Sequence, residues 1–72
     1  MITIDMMREN INEKYTQAKK EGNKEKLTIL EGFELMLSCF EFALEEEYAS
    51  PIEVCEELTE LNTSLEEVMS EI

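Results

Sequence analysis

The amino-acid sequence predicts an all-α fold: an antiparallel three-helix bundle, or a helical hairpin with a long third helix, completed by homodimerisation. Three observations point there. The 72 residues hold only two Gly and one Pro, too few breakers for a loop-rich or many-stranded chain. Apolar residues recur at helical intervals over nearly the whole length. One central segment carries apolar side chains around most of a helical circumference, more than two neighbouring helices can cover.

The first helix is expected over residues 4–21. Thr3 is its N-cap, Asp5 lies in its first turn, and Ile4, Met7, Ile11, Tyr15 and Ala18 recur at helical spacing. Lys19 and Lys20 suit its last turn, where the helix dipole favours cations, and Gly22 suits the left-handed position just beyond. Asn23 then caps a second helix over 24–48. Here Leu27, Ile29, Leu30, Phe33, Leu35, Met36, Leu37, Cys39, Phe40, Phe42, Ala43 and Leu44 leave a single polar stripe. That stripe, Glu31, Glu34, Ser38, Glu41 and Glu45, spans roughly 80° at 100° per residue. Phe33 and Phe40 share a face and Phe42 is turned away. Gly32, which costs about 1 kcal/mol relative to Ala inside a helix, is accounted for by a close helix crossing or a slight kink.

The third helix, over 51–71, opens on the clearest local signal. Ser50-Pro51-Ile52-Glu53 combines an N-cap, proline at the first helical position and a glutamate placed for a capping box. Val54, Leu58, Leu61, Leu65, Val68 and Ile72 follow at spacings of 4, 3, 4, 3 and 4, a seam of coiled-coil type. Asn62-Thr63-Ser64 are weak helix formers, and Ser64 with Glu67 offers a start for a separate last helix. The unbroken phase of the seam favours one long helix.

The chain reads as a single domain over residues 1–72. A core of this size rarely supplies more than about 3 to 5 kcal/mol, so a second copy is a natural source of further burial. The side chains expected to meet it are Phe33, Leu37, Phe40 and Leu44 on the second helix and Leu58, Leu61, Leu65 and Val68 on the third. Cys39 and Cys55 flank the second turn with an axial offset of roughly 6 Å, near the limit for bridging, and are expected as buried, reduced thiols.

Charge is distributed unevenly. All six basic residues, Arg8, Lys14, Lys19, Lys20, Lys24 and Lys26, precede Leu27, whereas Leu27 to Ile72 holds thirteen Glu and no Lys or Arg, for a net charge of −12. Such a chain lacks the cations that neutralise phosphates, so direct nucleic-acid binding and anionic membrane surfaces are disfavoured. No run approaches a membrane span, and Met1 to Asp5 lacks the basic and apolar regions of a signal peptide, so a cytoplasmic protein is expected.

Catalysis is disfavoured too. There is no His and no Gly-rich phosphate loop, and neither thiol has a base beside it in sequence to activate it. No cofactor or metal is expected: Glu45-Glu46-Glu47 with Glu53 lacks the alternating ligands and central glycine of a calcium loop. Paired glutamates on a bundle without Glu-x-x-His do not make a di-iron site.

The pattern that calls for a function lies on the third helix. Glu53, Glu57, Glu60, Glu67 and Glu71 form a row opposite the seam, with Glu56 and Glu66 beside it and no lysine among them. Like charges four apart each cost about 0.2 to 0.5 kcal/mol, a cost that selection for stability alone would remove. Glu53, Glu56, Glu57, Glu60, Glu67 and Glu71 are therefore the candidate partner-binding residues, and a protein with a basic surface is the complement. Carboxylates spaced along a rod also imitate a nucleic-acid backbone, which fits the basic groove of a nucleic-acid-handling protein and an inhibitory role. The competing readings are a solvated face that keeps a hydrophobic dimer soluble, and an assembly subunit or chaperone that docks a partner helix on its apolar stripe. A very short acidic chain rich in Ile, Lys, Glu, Asn and Met also suits an accessory protein of a low-GC bacterium or its phage.

Overall fold

The computed structural model describes residues 2–72, and Met1, the first residue read for a signal peptide, lies outside them. Three helices follow one another: α1 (Ile4–Glu21), α2 (Lys24–Glu45) and α3 (Pro51–Glu71). Together they form a body of 38 × 18 × 15 Å.

Each start is held by the side chain the sequence offers for it. Thr3 Oγ1 accepts the Met6 N–H at 3.2 Å, and Asn23 Oδ1 accepts the Lys26 N–H at 3.1 Å. Ser50 Oγ accepts the Glu53 N–H at 3.2 Å and donates its own proton to the Glu53 carboxylate at 3.2 Å. The reciprocal bond expected from Glu53 to the Ser50 backbone is thus made to the hydroxyl. After α1, Gly22 adopts φ 67°, and the N–H groups of Gly22 and Asn23 donate to Lys19 O at 3.2 Å and Ala18 O at 3.0 Å. This pair of bonds satisfies carbonyls that the helix end would otherwise leave open.

The end of α2 departs from the expected Tyr48 by three residues, at Glu45. Glu47 turns left-handed at φ 59°, while the N–H groups of Glu47 and Tyr48 donate to Leu44 O at 3.2 Å and Ala43 O at 2.8 Å. The geometry matches that after α1, but a glutamate occupies the position glycine usually takes. α3 runs unbroken across Asn62-Thr63-Ser64. Thr63 Oγ1 folds back onto Thr59 O at 3.1 Å and Thr59 Oγ1 onto Cys55 O at 2.9 Å, so these hydroxyls are satisfied without breaking the helix.

Met7, Ile11 and Ala18 of α1, Leu30, Phe33 and Leu37 of α2, and Val54, Leu58 and Leu65 of α3 converge in one core. Four side chains expected to meet a second copy are therefore spent inside the single chain: Phe33, Leu37, Leu58 and Leu65 are each 7% exposed or less. Phe40, Leu44, Leu61 and Val68 are half-buried at its margin. The apolar girdle of α2 leaves the surplus elsewhere, because its far side, nearly opposite Leu30, faces no helix. Leu35 is 69% exposed there and Phe42 55%. Phe42 lies against the ring of Tyr48, at 6.0 Å between centroids. Cys39 is exposed where this side borders α3, and Cys55 on α3 is half-buried, so the expectation of two buried thiols is corrected while both remain unbridged. Gly32 also faces outward, and a Cβ there meets nothing within 4 Å, so no close helix crossing within the chain explains it.

Candidate protein-interaction surface

The phase of the α3 seam fixes the acidic face. With Val54, Leu58 and Leu65 turned into the core, Glu53, Glu56, Glu57, Glu60, Glu67 and Glu71 fall within roughly 100° of one another on the outer side. All six are exposed. Among the described residues none of the six pairs with a lysine or arginine, and the only hydrogen bond to one of their carboxylates comes from the Ser50 hydroxyl to Glu53. The row is bare anionic surface, spaced along a rigid helix.

Glu66 departs from it. The residue points toward α1, where Lys14 Nζ donates to Glu66 Oε1 at 2.8 Å and Asn10 Nδ2 donates to the same oxygen at 3.1 Å. Asn10 Nδ2 also donates to Asn62 Oδ1 at 2.7 Å, and Lys14 Nζ to Asn10 Oδ1 at 3.0 Å. A lysine does therefore answer one carboxylate of α3, through a four-residue clamp to α1 that the sequence reading did not find. Its signal was present: Asn10 with Lys14 and Asn62 with Glu66 are polar pairs one turn apart, each beside an apolar stripe.

The Lys14 ammonium and the Asn10 amide, bonded to the Glu66 carboxylate, hold its pKa below the ordinary glutamate value. A lowered folded-state pKa means that the clamp's contribution is complete above the ordinary range, about 4.3, and is lost as pH falls through the lower folded value. The stability difference between wild type and Glu66→Gln is accordingly expected to narrow as pH drops from about 6 to about 3, measured by urea unfolding. A difference that stays constant would show that Glu66 titrates as it does in the unfolded chain.

Two other bases are occupied as well. Arg8 pairs with Glu41 of α2 and reaches Asp5 at 3.4 Å, and Lys26 reaches Glu21 at 3.5 Å across the first turn. The Arg8–Glu41 and Lys26–Glu21 pairs join α1 to α2, and no base among the described residues reaches the outer face of α3.

Beside the acidic row runs a groove between α2 and α3 of about 350 Å³. Met36, Cys39 and Phe40 line it from α2, and Leu61, Ser64, Glu57 and Glu60 from α3. Its floor is apolar and its α3 wall is anionic. The larger depression, along the exposed side of α1, is lined by mixed charges such as Asp5, Arg8, Glu13 and Lys20 and has no apolar floor.

No three Cys, Asp or Glu side chains among the described residues converge to hold a cation. No helix among them is long and apolar enough to cross a membrane. Comparison with protein families, with curated proteins and with solved structures finds no match to this chain.

Proposed function

We propose that this chain is a small acidic helical interaction module, not an enzyme, which binds another protein through the glutamate row of α3 and modulates it by inhibition. The favoured partner is a cytoplasmic nucleic-acid-handling protein with a basic surface. Six exposed carboxylates on one side of α3, with no base among the described residues to answer them, carry the reading. Negative charge of this density accelerates encounter with a basic partner and repels nucleic acid and anionic membrane alike.

The proposal includes antiparallel packing of the three helices and association with a second copy. Leu35 and Phe42 form an apolar outer patch on α2, outside the α2–α3 groove, which two copies of a chain carrying −12 can bring together without opposing the acidic rows of α3. Light scattering on a dilute sample tests this part, and a compact single copy at all concentrations contradicts it.

For the acidic row the test is the triple variant Glu53→Gln, Glu57→Gln, Glu60→Gln, used with wild type to capture partners from a lysate under a salt gradient. Exposed ion pairs contribute about 0.2 to 1 kcal/mol each, so three together predict an affinity loss of roughly threefold to more than a hundredfold and a shallower salt dependence. Unchanged affinity and salt dependence would remove the acidic-face mechanism. A second reading, an assembly subunit that docks a partner helix on an apolar stripe, is favoured by the apolar floor of the α2–α3 groove. Binding of that kind persists in high salt.

A further inference from the structure

The acidic row and the α2–α3 groove are one surface, and their chemistry specifies an occupant. Met36, Phe40 and Leu61 offer an apolar floor, Glu57 and Glu60 form the wall on the α3 side, and Cys39 stands on the uncharged α2 side. We infer that this groove receives an amphipathic helix of the partner, with an apolar stripe on the floor and lysines or arginines along the flank that faces α3. The inference rests on the interaction-module reading and names the partner's local chemistry.

Charge complementarity selects this occupant. An apolar trough with one anionic wall and one neutral wall favours a helix that is basic on a single flank, and it disfavours the opposite flank assignment. A second copy does not fit. The apolar stripe of α1 is spent in the core at Met7, Ile11 and Ala18, that of α3 is bordered by glutamates that would meet Glu57 and Glu60, and the outer patch of α2 at Leu35 adjoins Glu31 and Glu34, which would meet them too. A nucleic acid presents the wrong sign of charge, and its phosphates have no use for the floor. The acidic row continues past the groove at both ends, from Glu53 to Glu67, which is roughly 21 Å of helix axis and matches a guest of about four turns. Apolar anchors one turn apart on such a guest are the recurring basis of helix-in-groove recognition.

Three synthetic peptides of about fourteen residues test the inference. The first carries leucines at helical spacing with lysines along one flank, the second has the same composition scrambled, and the third has glutamates in place of the lysines. Binding is read by fluorescence anisotropy on the full chain. The first peptide is expected to bind at least tenfold more tightly than the scramble, and the third not at all. In the Cys55→Ser protein the first peptide is expected to shield Cys39 from maleimide, and Cys39→Tyr, which fills the groove at an exposed position, to erase the tenfold preference. Circular dichroism checks the fold of Cys39→Tyr, and the shielding experiment stands without it.

Equal binding of amphipathic and scrambled peptides, or a Cys39 that stays reactive at saturation, overturns the groove and leaves the acidic module standing. If neither basic peptide binds at low salt, the module reading falls with it.

Discussion

Leu58→Ala is expected to cost about 3 kcal/mol and to leave the chain only marginally stable. Leu58 is 0% exposed, and it packs in the core that all three helices share. Removing a buried leucine side chain costs its transfer free energy and the cavity left behind, typically about 2 to 5 kcal/mol. Domains this small hold about 3 to 5 kcal/mol in a single core, so one such cavity consumes most of the margin. Urea unfolding followed by circular dichroism measures the loss. Leu35→Ala is the control: Leu35 is 69% exposed, and its truncation should shift stability by no more than about 0.5 kcal/mol in the absence of a partner. If the two leucine variants proved equally stable, the division between core and outer face would be wrong.

The opposite effect is expected from two substitutions at sites of backbone strain or excess freedom. Gly32 lies in the interior of α2 with open space where a Cβ would stand, so Gly32→Ala should gain about 1 kcal/mol from helix propensity alone. Glu47 holds φ 59° beyond the end of α2, a conformation that disfavours any side chain with a Cβ by about 1 to 2 kcal/mol. Glu47→Gly removes that penalty and returns part of it through the added freedom of the unfolded chain, for a net gain of about 1 kcal/mol. The positions share no interaction, so the effects should add to about 2 kcal/mol, or roughly 8 to 16 °C in melting temperature. Thermal melts of the single and double variants read it directly. A Gly32→Ala variant that is no more stable than wild type would mean that something already approaches this face, such as a second copy.

The two positions also mark the limit of what was legible in the chain. Helix starts were legible because Thr3, Asn23 and Ser50 are short polar side chains that can reach back to their own first turn, and all three do so. The end of α1 was legible because Gly22 occupies its left-handed position. The end of α2 was not, since Glu47 adopts the same backbone geometry without the residue that advertises it. The acidic row followed from the phase of the seam, because one stripe turned inward leaves the other side of a helix outward. The split of α2 into a buried and an unpartnered side had no such guide. A nearly complete apolar girdle gives no preferred direction, and the side chains assigned to a second copy included Phe33 and Leu37, which the chain uses for itself. Position along α3 sets Glu66 beside the row, because distance along one helix says nothing about Lys14 and Asn10 on another.

The confinement of every lysine and arginine to the first 26 residues has a practical corollary for proteolysis. Trypsin has no cleavage site between Leu27 and Ile72, so most of α2 and all of α3 survive digestion as one fragment whether native or denatured. Its resistance carries no information about folding. A glutamate-specific protease, by contrast, finds scissile bonds on the exposed side of α3 at Glu56, Glu57 and Glu60, and its cutting rate there reports how often that helix unwinds.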